Sequence, residues 1–400
     1  MRIGFLSVFN FGTNIGGVEN HIYFMAHALQ AQGHELIVLQ PIESDTKEVT
    51  TQTVSGIEIR YIGIPRYRLF HFLSKFNGVR VIGFATAFLN KARFLLHSRR
   101  ISKAVLRARP DIVHQHDFVS NIRTTKILAK RVPCMLTNHT GEYLYLRLSY
   151  PGRRLLRWML KHFRYVIGPS IELTPKALHP HCATVHNGVD LSMFSPASNI
   201  AELRQARGLA ADDFVVLCPR RWAPTKGVLY LMKAIRRGQF DRRYKFLFAG
   251  SDYDGYPRYK EEVRWAQRQV ADSSQVILLG NVPVDEMVAY YQLADLTVIP
   301  SLMEAVSLAA IESMACGTPV LSTNVGGLPE LIADGVNGIM VPPRNPAALA
   351  RAIQRLSTDR ILYERIVRGS LDTASRYSWT AIARRTEGIY KEVLKNSNRG

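Results

Sequence analysis

Short apolar runs alternate with amphipathic helical segments along the whole chain, and this alternation constrains the fold more than any other feature. Repeats of strand, helix and strand are typical of parallel β-sheets that are covered by helices. The runs predict these buried strands: Ile3–Val8, Leu36–Gln40, Ile112–Gln115, Cys134–Thr137, Tyr165–Gly168, Phe214–Cys218, Lys245–Ala249, Val276–Leu279, Leu296–Ile299, Pro319–Ser322 and Gly338–Val341. The chain is therefore predicted to be an α/β protein.

A turn-rich segment, HNGVDLSMFSPASNI, separates the two groups of predicted strands. Its Asn, Gly, Ser and Pro residues predict a linker between domains, and a length of 400 residues favours two domains. We expect two facing Rossmann-like doubly wound domains, residues 1–195 and residues 196–377, with a C-terminal helix from about 378 to 400 packing back on the first. Because ligands bind at the carboxyl ends of such strands, the predicted site lies in the cleft between the domains.

The chain is strongly basic, with 52 Lys and Arg against 32 Asp and Glu and a net charge of +20. Residues 1–200 carry 25 of these basic and 11 of the acidic side chains, and no acid lies between Glu58 and Asp111. Such a field favours polyanions, namely nucleic acid, anionic lipid or phosphorylated ligands. The sequence has no helix-turn-helix, zinc-finger or RNA-binding signature, so we do not expect a nucleic-acid partner.

The cysteines and the apolar segments indicate the cellular compartment of the chain. Cys134, Cys182, Cys218 and Cys316 are scattered without paired metal-ligand spacing, which favours a reducing compartment without disulfides. The N-terminal apolar run lacks a signal-peptide cleavage site, and the longest candidate span, Val81 to Leu89, is too short for a bilayer helix. We expect a cytoplasmic chain that does not cross a membrane.

The segment PSLMEAVSLAAIESMACGTPVLSTNVGGLPE is the strongest chemical signal. It places Glu304 in a loop after a strand and Glu312 in the following helix. A helix of that spacing would span roughly 12 Å, the reach from a donor sugar past its diphosphate to the ribose. The amides of Val306, Ser307 and Leu308 would lie at a helix N-terminus, which favours phosphate. The alternative is a surface helix with two solvated carboxylates.

Two cations bracket a turn in the upstream segment CPRRWAPTKGVLYLMKAI. Arg221 and Lys226 follow a predicted strand and point toward the same strand-end cleft. A diphosphate leaving group gains negative charge as the glycosidic bond breaks, so two fixed cations would lower the barrier. Arg can hold phosphate oxygens bidentately, whereas Lys acts as a point charge. Each residue alone is more often a solvated charge.

With these residues in place, the sequence resembles glycosyltransferase family 4, the retaining glycosyltransferases of the GT-B fold. The resemblance extends over nearly the whole chain and includes GGVENHIYFMAHALQAQGHEL, PDIVHQHD, VHNGVDLSMFSP, LLGNVP and the block from Pro300 to Glu330. It implies that Arg221 and Lys226 bind the donor diphosphate. It further implies that Glu304 contacts the transferred sugar and that Glu312 contacts the ribose hydroxyls.

The same resemblance implies three further site residues. Gly16 and Gly17 would let the backbone approach the donor phosphates and the acceptor. His139, in LTNHTGEY, matches the family histidine near the reacting carbon, although a histidine at a strand end can also simply satisfy nearby backbone. Where the family usually has Phe and Gly after its first Glu, this chain has Val306 and Ser307, which leaves the shape around the donor sugar open.

The reaction implied by the family is front-face transfer with retention, by a metal-independent hexosyltransferase that needs no cofactor beyond its nucleotide diphosphate sugar donor. The sequence shows no carboxylate pair of the double-displacement glycosidase type. An Asp-Tyr-Asp turn at residues 252–254 resembles the metal motif of another glycosyltransferase fold, but a solvated turn is favoured. His179, His181, Cys182 and His186 lack zinc-site spacing.

A second histidine group ends a predicted strand. His114, His116 and Asp117 would face the cleft at the end of Ile112–Gln115. Contact with the acceptor and satisfaction within the core are both open for these residues.

Two basic stretches with interleaved apolar residues, residues 66–109 and 143–164, predict contact with a lipid interface. We expect Arg93, Arg99, Arg100 and Lys103 to bind an anionic membrane surface, so that the enzyme is peripheral on the inner face. The alternative is a solvated helical face whose apolar side packs on the core.

Three functions stay open. The acceptor is a lipid- or polyprenyl-linked glycan in cell-envelope polysaccharide or glycolipid synthesis, or it is a soluble saccharide. The third possibility is a sugar-nucleotide epimerase or a non-catalytic binding protein on the same fold.

Overall fold

The chain divides into two compact units: unit 1 is Met1–His186 with Trp379–Gly400, and unit 2 is Asn187–Ser378. A computed structural model describes residues 1–11, 17–46, 48–65, 91, 93–139, 141–250, 257–268, 274–304 and 307–397. None of the described helices is both long enough and apolar enough to cross a bilayer. Each unit is built around its own sheet.

Unit 1 contains an eight-stranded sheet in the order β3-β4-β2-β1-β5-β6-β7-β8. Its strands are β1 (Arg2–Leu6), β2 (Glu35–Glu43), β3 (Val49–Val54), β4 (Ile57–Ile64), β5 (Ile112–Gln115), β6 (Cys134–Thr137), β7 (Tyr165–Gly168) and β8 (Cys182–Thr184). All neighbours are parallel except β3 and β4. The central strands are buried on both faces, as expected of a sheet covered by helices.

The helices of unit 1 lie between these strands. They are α1 (Gly17–Ala31), α2 (Ser98–Arg107), α3 (Ile122–Leu128), α4 (Gly141–Leu146) and α5 (Tyr150–Leu160), with a short 3-10 helix at Ile171–Leu173. The start of α5 is well defined because Ser149 caps it by accepting a hydrogen bond from the amide of Gly152, and Pro151 lies in its first turn.

Unit 2 contains a six-stranded parallel sheet in the order β11-β10-β9-β12-β13-β14. The strands are β9 (Phe214–Cys218), β10 (Tyr244–Ala249), β11 (Val276–Gly280), β12 (Leu296–Ile299), β13 (Val320–Thr323) and β14 (Ile339–Val341). Its helices are α6 (Ile200–Gln205), α7 (Val228–Arg237), α8 (Pro257–Arg268), α9 (Val284–Leu293), α10 (Leu308–Ala315), α11 (Leu328–Leu331), α12 (Pro346–Thr358) and α13 (Arg360–Arg376). A 3-10 helix, Pro224–Lys226, precedes α7.

The last helix, α14 (Trp379–Ser397), belongs to unit 1, where it packs on α1. Tyr390 is fully buried, and its hydroxyl lies 2.6 Å from Nδ1 of His114. Trp379 packs edge-on against His21 of α1, with ring centroids 5.3 Å apart. The C-terminal segment therefore completes the core of the unit that begins the chain.

The segment before residue 196 packs with unit 2, which begins at Asn187 rather than at the predicted boundary. Val189 forms a parallel bridge with Ser378. Phe194 is buried against Tyr291, with ring centroids 6.0 Å apart. Val189 and Phe194 thus anchor this turn-rich segment in the core of unit 2.

All eleven predicted strands overlap observed ones, and three further strands, β3, β4 and β8, were not predicted. β3 and β4 form an antiparallel hairpin in which Val54 pairs with Ile57. Its two-residue turn has positive φ at both positions, 49° at Ser55 and 80° at Gly56. This is the geometry of the turn that matches strand twist in short hairpins, and glycine adopts it without strain.

Candidate functional site

In unit 2, the ends of two neighbouring strands hold the candidate donor-site residues. β9 and β12 are adjacent and parallel, with Leu217 paired to Thr297. The chain after β9 carries Arg220 and Lys226, and the chain after β12 carries Ser301 and Glu304. Because parallel strands end at the same edge of the sheet, these side chains converge.

The convergence produces a compact ion cluster around Glu304. Nζ of Lys226 lies 3.2 and 3.0 Å from the two carboxylate oxygens of Glu304. Arg220 forms an ion pair with the same carboxylate, and the Ser301 hydroxyl donates to it at 3.2 Å. With its carboxylate held on three sides, Glu304 has one defined orientation.

Two neighbouring arginines differ sharply in environment. Arg220 is buried, and its guanidinium donates to the hydroxyls of Ser301 at 3.0 Å and Ser307 at 3.4 Å. Arg221 is exposed. The sequence predicted Arg221 as the donor cation and missed Arg220, which holds the Glu304 carboxylate by an ion pair. The adjacent arginines were the only sequence signal for a second cation here.

Glycines allow the backbone to close tightly around this cluster. Gly227 has φ +66°, and a Cβ there would lie 1.8 Å from the carbonyl oxygen of Pro300. Gly326 has φ +55°, and a Cβ there would lie 1.6 Å from the carbonyl oxygen of Glu304. The carbonyl of Thr225 accepts from the amide of Leu302 at 2.8 Å. The loop that carries Glu304 is therefore clamped between two turns that only glycine fits.

Burial changes the acid–base properties of the cluster. It lowers the pKa of Arg220 to about 10, which still leaves the guanidinium charged at neutral pH. Burial, together with the positive charges of Arg220 and Arg221, lowers the pKa of Lys226 to about 6. The Glu304 carboxylate oxygen 3.0 Å from Nζ is an opposite charge, which favours the protonated ammonium. An incoming anion would likewise favour the charged ammonium.

Helix α10 begins beside the cluster. Ser307 is its N-cap residue, and the Ser307 side chain makes no cap hydrogen bond but contacts Arg220. The helix opens at Leu308, so its N-terminal dipole lies next to the cations. Val306 lies outside the described residues. Ser307 is therefore involved in positioning a cation, a contact that the glycine usual at this family position could not make.

One turn into α10, Glu312 has a polar partner of its own. Its carboxylate accepts a hydrogen bond of 2.9 Å from the buried Tyr291 hydroxyl. Burial raises the pKa of Glu312 to about 7, although the Tyr291 hydrogen bond and the charge of Arg220 act in the opposite direction. Tyr291 was missed by the sequence analysis, because nothing in its local sequence distinguishes it from a core tyrosine.

In unit 1, the predicted residue His139 belongs to a cluster of histidines. His139 follows β6, His116 follows β5, and His21 projects from α1. Nδ1 of His116 lies 3.3 Å from Nε2 of His139. The ring centroids of His21 and His139 are 4.6 Å apart. His21 was not singled out from the sequence, although it lies in the quoted segment that follows Gly16 and Gly17.

The other members of this strand end are satisfied within the core. Both ring nitrogens of His114 have partners, the Tyr390 hydroxyl at 2.6 Å and the Thr137 hydroxyl at 2.7 Å. Asp117 is buried and accepts from the amides of Val119 and Ser120, each at 3.1 Å. Of the two interpretations left open for this group, core satisfaction therefore fits His114 and Asp117.

His116 and His139 of this cluster are neutral rings, as is His114 beside them. Burial, with the neighbouring His21 ring, lowers the pKa of His114 to about 3. Burial and the nearby histidines also lower the pKa values of His116 and His139 well below the usual value. Neutral imidazoles each offer one donor and one acceptor, and they place no charge beside a ligand.

Within the described residues, the ring nitrogens of His21, His116 and His139 could also hold a metal ion, since they lie within 4.8 Å of one another. The His116–His139 separation equally suits an N–H···N hydrogen bond. His179, by contrast, is structural, because both of its ring nitrogens contact backbone carbonyl oxygens, at 2.8 and 3.0 Å. Residues 252–254 and Gly16 lie outside the described residues, while Gly17 opens α1.

The four predicted membrane-binding residues have two kinds of surroundings. Arg93 forms an ion pair with Glu43 and stacks over Phe94 at 4.9 Å. The other three predicted residues line two adjoining surface cavities of about 580 and 690 Å³; they are Arg99, Arg100 and Lys103. Most of the first basic stretch, residues 66–90, lies outside the described residues.

Comparisons with known proteins agree with this architecture. The family model described as Glycosyltransferase Family 4 matches residues 15–193, and the model described as Glycosyl transferases group 1 matches residues 199–371. A D-inositol 3-phosphate glycosyltransferase of Acidothermus cellulolyticus is 32% identical over 334 residues, 76% of this chain and 74% of the relative. That of Streptomyces bingchenggensis is 33% identical over 222 residues, 54% of this chain, which spans about half (49%) of the relative's length.

Solved structures show the same fold. Sucrose-phosphate synthase from Thermosynechococcus elongatus aligns with a TM-score of 0.76 and 21% identity, covering 99% of both chains. Anabaena HepE in complex with UDP and glucose aligns with a TM-score of 0.73 and 18% identity, covering 98% of this chain and 100% of that one. These likenesses confirm the predicted GT-B fold of two α/β domains with parallel sheets.

Proposed function

The chain belongs to glycosyltransferase family 4, and from this premise we propose that it is a retaining, metal-independent hexosyltransferase. It transfers a sugar from a nucleotide diphosphate donor to a lipid- or polyprenyl-linked glycan in cell-envelope polysaccharide or glycolipid synthesis. The observation that carries the proposal is the convergence of Lys226, Arg220 and Glu304 beside the N-terminus of α10. Cations and a helix N-terminus at one strand edge form an anion site suited to a diphosphate.

Unit 2 would bind the donor along α10. Arg221 and Lys226 would hold the diphosphate, with help from the amides at Ser307 and Leu308. Glu304 would contact the hydroxyls of the transferred sugar, since its carboxylate is held in one orientation by Lys226 and Ser301. Glu312 would accept from the ribose hydroxyls. Charge that develops on the leaving diphosphate would meet fixed cations, which stabilise it more in the transition state than in the ground state.

The proposed chemistry keeps the configuration of the anomeric carbon. The bond from that carbon to the phosphate oxygen breaks, the acceptor oxygen bonds to the same face, and the leaving phosphate takes the acceptor proton. His139 would hydrogen-bond the transferred sugar as a neutral ring, because burial and its histidine neighbours keep its pKa low. A neutral partner avoids adding positive charge next to a carbon that itself becomes positively charged.

The basic character of unit 1 supports a membrane location, at the inner face and in the cytoplasm. Arg99, Arg100 and Lys103 are presented on one helix beside surface cavities. Each such cation near an anionic leaflet adds about 1 kcal/mol, so a few are enough for reversible attachment.

A second candidate is favoured by the names of the relatives. Those called D-inositol 3-phosphate glycosyltransferase suggest a small phosphorylated acceptor. The excess of cations in residues 1–200 would serve such an acceptor as well as a lipid.

A donor and acceptor panel would test the proposal. Thermal shift with UDP, GDP and ADP and with their sugars identifies the donor, and UDP comes first because the HepE structure contains it. Labelled sugar is then offered with a lipid extract or with sugar phosphates. Label in the organic phase supports the lipid acceptor, whereas label on a sugar phosphate supports the second candidate. Binding without any transfer or hydrolysis would contradict the transferase proposal.

A further inference from the structure

We propose that α5 and the cation-lined cavity beside it form an anionic-lipid site in unit 1, with α5 inserting apolar side chains among the lipids. The site rests on the proposed membrane location and gives it a different contact surface from the one that the sequence predicted. Its ligand class is a lipid with a phosphorylated headgroup, presented by a bilayer.

The first observation is a concentration of exposed apolar side chains around α5. Leu148 and Tyr150 are 74% and 69% exposed, and Tyr145 is 69% exposed. Leu155 and Trp158 on the helix are 45% and 42% exposed. Single exposed apolar residues are ordinary, but a contiguous group marks an interaction surface. Tyrosine and tryptophan are the side chains best suited to a membrane–water interface.

Helix geometry explains how α5 can both pack and insert. Pro151, Leu155 and Trp158 have the spacing i, i+4 and i+7, which places them on one helical face. Leu156 and Met159 are buried and hold an adjacent side of the helix on the core. The helix therefore has apolar residues left over after its packing on unit 1 is complete.

The second observation is a cavity of about 540 Å³ that adjoins this helix. Its lining includes five cations and no carboxylate: Lys126, Lys130, Arg157, Lys161 and Arg164. Within the described residues, none of the five forms a salt bridge. A volume of this size admits a phosphorylated headgroup, and unneutralised cations favour its charge.

The cavity and the apolar face share an edge. Arg157 lines the cavity and directly precedes Trp158 in α5. The Trp158 ring packs edge-on against His162, another lining residue, with ring centroids 6.0 Å apart. A lipid could thus place its phosphate among the cations while Trp158 and Leu155 contact its acyl chains. The combination of charge and exposed apolar surface favours a bilayer over a soluble phosphate.

Helix α2 has surface cations, but it lacks exposed apolar side chains beside them. Its apolar residues Ile101 and Val105 are fully buried in the core. Its cations, among them Arg99 and Lys103, line the surface cavities together with the half-buried Leu106. α2 can therefore attract an anionic surface electrostatically, but its apolar side chains are buried or half-buried, whereas α5 exposes Leu155 and Trp158.

The test uses the full chain in co-sedimentation with vesicles of phosphatidylglycerol and phosphatidylcholine, against pure phosphatidylcholine vesicles of equal diameter. Leu155→Ser/Trp158→Ser should weaken partitioning into anionic vesicles by about tenfold or more, since lost apolar contact reduces interfacial binding. Lys161→Ser/Arg164→Ser should weaken it similarly. Ile361→Ser, at a residue that is 82% exposed in unit 2, is the matched control and should bind as the wild type does.

A depth measurement distinguishes insertion from electrostatic attachment. Lipids brominated along the acyl chains should quench part of the wild-type tryptophan fluorescence, and Trp158→Phe should remove that part while retaining vesicle binding. Unchanged nucleotide-induced thermal shifts would show that every variant is folded and binds donor.

Two outcomes would overturn the proposal in different ways. If the wild type binds anionic vesicles but the α5 variants bind equally and quenching persists in Trp158→Phe, the site is wrong and the membrane location stands on other residues, such as those of α2. If the wild type binds neither vesicle, the membrane location itself fails. Donor hydrolysis, measured without vesicles, tests the transferase proposal separately.

Discussion

The two units hold polar clusters of opposite electrical character. In unit 2, Lys226, Arg220 and Glu304 bring two cations and a carboxylate into contact. In unit 1, His116 and His139 approach to 3.3 Å with pKa values lowered so far that both rings are neutral. Both clusters lie at the carboxyl ends of parallel strands, and yet one concentrates charge and the other excludes it.

The two clusters differ in how well their surroundings compensate a buried charge. A charge removed from water is costly unless an opposite charge and hydrogen bonds replace the solvent, and the glycine-clamped loop of Glu304 supplies both. Burial and the neighbouring rings instead keep His116 and His139 uncharged. Unit 2 is thus suited to the diphosphate of a donor, whereas unit 1 is suited to hydrogen bonds with an uncharged sugar.

The largest expected effect comes from removing a donor cation. Lys226→Ala and Arg221→Ala should each reduce kcat by about 100- to 1,000-fold, because in the proposed mechanism both would stabilise charge that grows in the transition state. Lys233→Ala, at an exposed lysine on α7, is the matched control. Steady-state kinetics with the identified donor measure the effect. Near-normal kcat in both variants would mean that the charged cluster does not serve the leaving group.

The next effect concerns Glu312. Glu312→Gln should weaken donor binding by about 10- to 150-fold, which corresponds to roughly 1.5–3 kcal/mol for hydrogen bonds to a charged acceptor. Isothermal titration with the donor nucleotide measures it. A deoxyribose nucleotide is the informative control, since it should bind wild type and variant more nearly alike. Equal affinity of both proteins for the ribonucleotide would remove Glu312 from the site.

The same substitution should stabilise the fold. The pKa of Glu312 is raised from 4.5 to about 7, so the folded protein binds this proton more tightly than the unfolded chain does. Stability from this group is therefore present at low pH and is lost as pH rises across that window. At pH 8 the Gln variant should gain about 1–3 kcal/mol in unfolding free energy, and at pH 4.5 little. A variant less stable than wild type at pH 8 would contradict this.

Much of the fold could be predicted because buried parallel strands are written in the sequence as apolar runs. Phe214–Cys218 and Leu296–Ile299 were predicted with the bounds that the structure has. The hairpin of β3 and β4 was missed, since VTTQTV is polar and its strand signal is β-branching alone. The Ser55-Gly56 pair between the two strands is the sequence signal that favours a hairpin turn here.

The site was less predictable, since its contacts join residues distant in sequence. Lys226 and Glu304 are 78 positions apart, and they meet only because β9 neighbours β12 in the sheet order. Sequence periodicity does not specify which strands are neighbours. For the same reason Arg220 and Tyr291 could not be assigned, because their roles depend on which side of a turn or helix faces a carboxylate.

A smaller effect should appear in the pH dependence of donor binding. Only a charged Glu312 accepts two ribose hydroxyls, so affinity should fall by up to about tenfold between pH 8 and pH 6 as the carboxylate gains a proton. The neutral His116 and His139 of unit 1 should add no step in this range. Titration calorimetry at both pH values measures the change, and Glu312→Gln is the control in which only the ionisation of Lys226 and of the nucleotide remains among these groups. An equally steep dependence in that variant would assign the step to another group.

The smallest expected effect is that of a chelator, which should leave the rate unchanged. The leaving phosphates would be served by Arg221, Lys226 and helix amides, and the unit 1 histidines would act as neutral rings. Initial rates are compared in EDTA and in an equal concentration of calcium-saturated EDTA. Loss of activity that Mn²⁺ restores would revive residues 252–254 as a metal motif. A rise in activity would instead indicate that a metal ion had occupied His21, His116 and His139, whose nitrogens lie within 4.8 Å of one another. A metal ion bound to these histidines would end the contrast between the two units, because it would place positive charge in the cluster where burial otherwise disfavours it.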